Sequence, residues 1–450
     1  MTSNADMVRR DLTRIWHPCT QMKDHETLAP VPIARGEGVW LYDYDGHRYL
    51  DAVSSWWVNL FGHANPHINE AIRDQLERIE HVMLAGLSHA PAVELAERLT
   101  AVTPAGLTRV SFADNGSSAV EMALKMSYHA WRNRGEAGRT KFVALSNSYH
   151  GETLGALAVG DVALYKETYE PLLMECLIAP SPDCYERAPG ESCAELAERR
   201  ADALDELLEA HAGEIAAVIL EPLVQCAGHM RMYDPVYLQR ARAACDRHGI
   251  HLIADEVATG FGRTGSMFAC EKANIEPDFL CLSKGLTGGY LPLSVVLTTE
   301  SVYAAFYDDF ETRRAFLHSH SYSGNPLGCR AALATLDLFE DGAVLRANQR
   351  LATAMTEATA PFRDHPQVAE VRQHGMIVAM ELVKDKASGE PYPWQERRGL
   401  RVYRYGLEHE AFLRPLGNVV YFMPPYVITE AQIAWLAEIA RAGIDQATRD

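Results

Sequence analysis

Lys284 follows the apolar run DFLCLS (278–283) and precedes GLTGGY, and Asp255 ends the apolar run HLIAD (251–255). Short apolar runs of this kind form buried parallel strands, and in open α/β sheets ligands bind just beyond the carboxyl ends of such strands. A lysine at that mouth gives up its proton more readily, because desolvation disfavours the ammonium, and a neutral amine condenses with an aldehyde. An acid at the end of the preceding strand complements it. Pyridoxal phosphate asks for this pair, a lysine for its aldehyde and an acidic contact for its ring nitrogen. A contact ion pair at an effective dielectric of about 20 is worth roughly 4 kcal/mol, which keeps a pyridinium protonated at neutral pH.

The rest of such a site has sequence signals of its own. FADNGSSAVEMALKM places Asn115, Gly116, Ser117 and Ser118 between a strand end and a helical pattern, so that free amides, hydroxyls and the positive helix end converge on a phosphate. SNSYHGET sets Tyr149 and His150 after the run KFVAL (141–145), where an aromatic can lie against a pyridine ring. GFGRTG (260–265) matches the G-x-G-x-x-G spacing of dinucleotide sites, but no clean helix opens inside the glycines and the next strand ends in Lys284, not an acid. Arg263 within it is read as a structural or substrate-side cation. Nine scattered cysteines without a C-x-x-C pair are read as reduced thiols, mostly packing, and no metal site is expected.

The elements that must position these residues are five apolar runs: RVSFAD (109–114), KFVAL, AAVILEP (216–222), HLIAD and DFLCLS. Their alternation with helix-period stretches predicts an α/β fold, a mostly parallel sheet flanked by helices. PVYLQRARAACDRHG, opening on Pro235 and stopping at Gly249, reads as a crossover helix. Near residue 330 the texture shifts to longer helices, and VAEVRQHGMIVAMELV (368–383) reads as a small separate sheet. The expected division is an N-terminal segment (1–65), including GVWLYDYDGHRYLD, that packs with a smaller C-terminal domain (331–450), and a large cofactor domain (66–330).

With 60 acidic against 42 basic residues, the formal charge of −18 opposes binding to nucleic acid. No apolar run reaches the roughly 18 residues that cross a bilayer, and the first sixteen residues lack a secretory signal pattern. A cytoplasmic protein without membrane or nucleic-acid partners is expected.

LIADEVATGFGRTGSMFACE together with PDFLCLSKGLTGGYLPLS resembles the signature of the class III aminotransferases, fold-type I pyridoxal phosphate enzymes. RIWHPCTQM, DAVSSWWVNLFGHANP, HVMLAGLSHAPAVEL, EPLVQCAGHMRMYDP and LRPLGNVVYFMPPY extend the resemblance to one subgroup, from about residue 12 to the C-terminus. The family implies a large domain with a seven-stranded sheet, a smaller α+β domain, and a homodimer whose pyridoxal phosphate sites lie at the subunit interface. By resemblance, Lys284 is the Schiff-base lysine and proton shuttle, Asp255 the ring-nitrogen partner, Gly116 and Ser117 the phosphate cup, and Tyr149 the stacking aromatic. His320 and Ser321 are assigned to the cofactor as well, Ser321 reaching the phosphate from the other subunit. The implied substrate pocket takes in Cys19, Trp56, Trp57, Tyr149, Ser319 and Arg414, the tryptophans walling an apolar chain and Arg414 clamping its terminal carboxylate. The subgroup implies conversion of 8-amino-7-oxononanoate to 7,8-diaminononanoate in biotin biosynthesis, with S-adenosylmethionine or lysine as donor. Cys19 stands where many members have tyrosine, and Ser319, His320 and Ser321 replace the common Gly-Pro-Thr, which leaves the donor open. Two alternatives remain: an ω-amine or β-amino acid aminotransferase using pyruvate, and a pyridoxal-phosphate-binding regulatory protein without turnover.

Overall fold

The computed structural model describes residues 2–449. Seven strands form the central sheet: β1 (Leu107–Ala113), β2 (Lys141–Leu145), β3 (Cys176–Ala179), β4 (Ile215–Leu220), β5 (His251–Asp255), β6 (Phe279–Leu282) and β7 (Ser294–Thr299). Their order is β1-β7-β6-β5-β4-β2-β3. β7 runs antiparallel to both β6 and β1, and the other pairings are parallel. Every residue of β4, β5 and β6 is buried, so these strands read as continuous apolar runs because helices cover both faces. The register pairs Asp255 with Cys281, which puts the carboxylate at the sheet's carboxyl edge beside the turn that carries Lys284.

The helices follow their end signals. Helix Val236–His248 stops at Gly249, whose left-handed φ of 61° closes it. Helix Gly116–Asn133 starts at Asn115, whose side chain accepts from the N–H of Ser118 at 3.0 Å. Outside the main sheet, Ile33–Glu37, Trp40–Asp43 and Arg48–Asp51 form an antiparallel meander. Its last strand pairs in parallel with Ala411–Phe412, so the two ends of the chain share one sheet. Val368–His374 and Ile377–Asp385 form the antiparallel pair expected from VAEVRQHGMIVAMELV, and Val419–Phe422 pairs with the second of them.

One expectation is corrected. Cys184 and Cys193, read as reduced thiols, are joined as a disulfide with Cα atoms 5.0 Å apart, because a short loop folds the start of helix Cys193–Ala210 back beside Cys184. The other seven cysteines are free, five of them buried. Among the described residues no helix is long and apolar enough to cross a membrane, and no group of His, Cys, Asp or Glu is arranged to hold a metal ion.

Candidate active site

A cavity of about 480 Å³ opens beyond the carboxyl ends of the central strands, and Lys284, Asp255, Gly116, Ser117, Tyr149 and Trp57 all line it. Lys284 begins a single 3-10 turn (Lys284–Thr287) with φ 44°, a left-handed conformation that costs a lysine energy and is characteristic of constrained sites. Its Nζ lies 4.8 Å from the centroid of the Trp57 ring. Burial lowers the Lys284 pKa, while Cys226, Asp255 and Glu221 oppose that shift. The outcome is an amine biased toward its neutral, nucleophilic form.

Asp255 is fixed from two sides. Nδ1 of His150 donates to Oδ2 at 2.7 Å, and the N–H of Val257 donates to Oδ1 at 3.1 Å. His150 is buried and its Nε2 has no hydrogen-bond partner. Sequence reasoning placed His150 beside Tyr149 after the KFVAL strand without giving it a role; the structure makes it the residue that orients the carboxylate. Glu221, directly after β4, also lines the cavity and was missed. Burial pushes its carboxyl up to about 7, although it accepts from the N–H groups of Tyr149 (2.9 Å) and Cys226 (3.0 Å). The rule that selected Asp255, a polar residue ending an apolar run, would have found Glu221 at the end of AAVIL.

Gly116 and Ser117 head the 18-residue helix at the cavity wall, where first-turn amides have no partner within the helix. The loop after β2 presses onto this helix start. The N–H of Glu152 donates to Oγ of Ser117 at 3.1 Å, and at Gly151 (φ 126°) an added Cβ would stand 1.9 Å from that Oγ. A Cβ at Gly116 would meet Cγ1 of Val257 at 2.7 Å. Small residues are thus required at Gly116 and Gly151 around the helix start, and an acid and an amine line the same cavity. This arrangement fits pyridoxal phosphate.

A second cluster adjoins the cavity. Cζ of Arg414 lies 4.3 Å above the centroid of the Trp56 ring, and among the described residues Arg414 makes no ion pair. Sγ of Cys19 donates to Oε1 of Glu152 at 3.6 Å, and the hydroxyl of Tyr149 donates to the same oxygen at 2.9 Å. Burial and the neighbouring Glu152 push the Cys19 thiol upward. Glu152 stood inside the quoted SNSYHGET without being singled out. Tyr165, packed edge-on to Tyr149 at 5.2 Å, was not singled out either, since no local pattern marks it.

The two tryptophans ride on an unusual piece of backbone. Ser54, Ser55, Trp56 and Trp57 have φ of 51°, 47°, 71° and 73°, one left-handed turn closed by Trp57 N–H to Val53 C=O at 2.8 Å. At about 1–2 kcal/mol for each L-residue, the turn stores roughly 4–8 kcal/mol. Asp51 helps to hold it, accepting from the N–H (2.9 Å) and hydroxyl (2.7 Å) of Ser55. The Ser54 hydroxyl donates to Met423 C=O at 2.7 Å, and Nε1 of Trp57 donates to the Tyr421 hydroxyl at 2.9 Å. The result divides the pair: Trp57 is 3% exposed beside Lys284, and Trp56 is 38% exposed beneath Arg414.

Ser319, His320 and Ser321 are not brought to this cavity wall. They lie on a largely exposed stretch, with His320 Nε2 3.9 Å from Oδ1 of Asp114, itself a cavity residue, and with Ser319 and Ser321 exposed.

A mostly parallel seven-stranded sheet with an acid, a desolvated lysine and a glycine-lined helix start at its carboxyl edge defines a fold-type I pyridoxal phosphate enzyme. Residues 21–443 match the family "Aminotransferase class-III". The chain belongs to the class III aminotransferases, which are pyridoxal-phosphate-dependent. It is 46% identical over 438 residues to the adenosylmethionine-8-amino-7-oxononanoate aminotransferase of Helicobacter pylori, covering 96% of each chain. The crystal structure of the Methanocaldococcus jannaschii enzyme of the same name superposes with a TM-score of 0.93 at 40% identity, over 98% of this chain and 99% of that one. An omega transaminase from Pseudomonas jessenii, solved in complex with PMP, also gives 0.93, at 30% identity and 98% coverage of both chains.

Proposed function

We propose that this aminotransferase places an amino group on 8-amino-7-oxononanoate to give 7,8-diaminononanoate, with S-adenosylmethionine as donor and lysine as the alternative. The names of the relatives favour this substrate. The observation that carries it is Arg414, half-buried against Trp56 and without a carboxylate of its own: a substrate with a long methylene chain and a terminal carboxylate supplies both what the indole and what the guanidinium lack.

When bound, pyridoxal phosphate supplies an electron-withdrawing ring that acidifies the C–H next to a substrate amine. The chain's residues do the rest. Gly116, Ser117 and the helix start would hold the phosphate, Asp255 would hold the ring nitrogen, and His150 keeps Asp255 in place. Lys284 takes the proton from the reacting carbon through Nζ and returns one, which requires the neutral amine that burial favours. Tyr149, at the cavity wall, would lie against the ring, and Trp57 backs Lys284. Two chains form the working unit, and Ser321, exposed on one chain, serves the phosphate at its partner's site.

The experiment adds S-adenosylmethionine, lysine or alanine separately to the cofactor-loaded enzyme and follows the visible absorption, then adds 8-amino-7-oxononanoate. S-adenosylmethionine is expected to bleach the band and the keto acid to restore it, and Lys284→Ala should abolish both responses. Bleaching by simple amines that pyruvate reverses and the keto acid does not would replace this reading with that of an ω-amine aminotransferase.

A further inference from the structure

Cys184 and Cys193 are joined across nine positions, and both are half-buried, within reach of a small reagent. One bond among nine cysteines, with the other seven free, is not the framework of a disulfide-stabilised fold, and a chain of 450 residues has core enough to do without a staple. The two sulfurs are unlike. Cys193 is the first residue of the 18-residue helix Cys193–Ala210, behind its N-cap Ser192, where amides without a helical partner and the positive helix end stabilise a thiolate. The acids around it are engaged: Glu195 closes the capping box on Ser192, and Glu191 and Glu186 pair with Arg199 and Arg200, each at 2.9 Å. Cys184 begins a three-residue 3-10 turn. The loop between them is braced on two sides. Toward the cavity, the Ser181 hydroxyl donates to Oε1 of Gln225 at 2.8 Å, Nε2 of Gln225 donates to Ser146 C=O at 2.9 Å, and the N–H of Ser181 donates to Oγ of Ser146 at 2.8 Å. Ser146 opens the loop that carries Tyr149. Away from it, Arg231 lies with Cζ 4.3 Å over the Tyr185 ring and Nε 3.4 Å from Asp183, and Arg187 pairs at 3.0 Å with Glu370 of strand Val368–His374.

We propose that the Cys184–Cys193 disulfide is an exchangeable redox site, opened by a dithiol, and that its state reaches the cofactor cavity through Ser181, Gln225 and Ser146. A thiolate of the dithiol attacks Sγ of Cys184; the S–S bond breaks, and its electron pair leaves on Cys193, the sulfur that the helix end stabilises. The second thiol of the dithiol attacks the mixed disulfide, releases Cys184 as a thiolate and completes the dithiol's own disulfide. Two electrons pass to the protein, and the two protons of the dithiol end on Cys184 and Cys193. Once the bond is open, residues 184–193 regain the freedom it denied them. Ser181 stands three residues before Cys184, so the loosening arrives first at Gln225 and Ser146 and then at the Tyr149 loop. The oxidised protein holds that loop firmly and the reduced protein holds it less well, whichever keto acid the enzyme uses.

The test uses the full-length, cofactor-loaded enzyme, prepared in air and then treated with dithiothreitol or with glutathione. Alkylation in denaturant followed by mass spectrometry should label seven cysteines before reduction and nine after it. Glutathione, which has one thiol, should be trapped as a mixed disulfide on Cys184 with Cys193 free to alkylate. After the reductant is removed under argon, trypsin should cut at Arg187 roughly a hundredfold faster than in the oxidised enzyme, the freedom a loop of this length regains, and pyridoxal phosphate should be held roughly three- to tenfold more weakly, the worth of one hydrogen bond. Reoxidation should restore both. Cys193→Ser should behave as the reduced enzyme and ignore dithiothreitol. Gln225→Leu removes the bridge but not the bond: reduction should still open Arg187 to trypsin, while cofactor affinity no longer follows the redox state. Ser181→Ala, a smaller change at the same bridge, decides this point should Gln225→Leu fail to fold. Nine labelled cysteines before reduction, or a bond that yields only when the protein unfolds, would overturn the exchangeable site. Cutting at Arg187 with unchanged cofactor affinity would overturn its link to the cavity.

Discussion

On the proposed function, Arg414→Ala should separate binding of the substrate tail from the chemistry at Lys284. Arg414 lies 4.3 Å over Trp56 and makes no ion pair of its own, so a terminal carboxylate arriving there meets an uncommitted guanidinium. A charge-assisted, bidentate hydrogen bond is worth about 1.5–3 kcal/mol, and at about 1.4 kcal/mol per factor of ten its loss multiplies KM for the keto acid by roughly 10 to 150. The site is half-exposed, so solvent screening favours the lower part of that range. The contact persists from bound substrate to transition state, and kcat should therefore change little. Arg414→Ala also uncovers Trp56; Arg414→Lys, which keeps a charge and a stem but loses the planar fork, should fall between the two. The assay is initial-rate kinetics with each substrate varied in turn. Equal rises in KM for donor and keto acid would refute a clamp dedicated to the tail, and a fall in kcat with KM unchanged would place Arg414 in the chemistry.

Two further substitutions test other parts of the structure. Gly151→Ala puts a Cβ 1.9 Å from Ser117 Oγ at φ 126°, a strain of about 1–3 kcal/mol at the phosphate cradle, and cofactor affinity measured by equilibrium dialysis should fall roughly tenfold or more. His251 is buried under Trp131 with its pKa lowered to about 4, first by burial and further by nearby arginines, Asp278 opposing. Below the ordinary value of about 6.5 the unfolded chain takes up a proton that the folded chain refuses, so stability falls as the pH drops from there toward 4, by roughly 3 kcal/mol in total. In His251→Asn that contribution is gone, and urea midpoints at pH 7 and pH 4.5 should lie closer together than in the native protein.

Five central strands were legible because buried parallel strands leave continuous apolar runs: KFVAL and HLIAD match β2 and β5 residue for residue. β3 (CLIA) and β7 (SVVLTT) were not proposed from the sequence. Lys284 and Asp255 could be read from their position at strand ends, since a polar group there needs a reason. Glu152 and Tyr165 could not, because what makes them part of the site is an approach from another segment, Cys19 to Glu152 and Tyr149 to Tyr165. The turn at Ser54–Trp57 left no trace in the sequence either. Two serines and two tryptophans do not ask for positive φ, and the Met423 and Tyr421 partners of the turn lie hundreds of residues away. The cysteine reading failed for a similar reason, as a nine-residue spacing says nothing of a loop that closes on itself.

The pairing of Leu50–Asp51 with Ala411–Phe412 has a temporal consequence. A ribosome adding about 5–20 residues per second needs roughly 20 to 70 s to go from one strand to the other, and during that interval the early strand has no neighbour on that edge. The tryptophan turn waits equally long for Met423 and Tyr421. A polypeptide interrupted before its last tenth could complete the central sheet and still have no seat for substrate, so full-length synthesis acts as a checkpoint on catalytic competence.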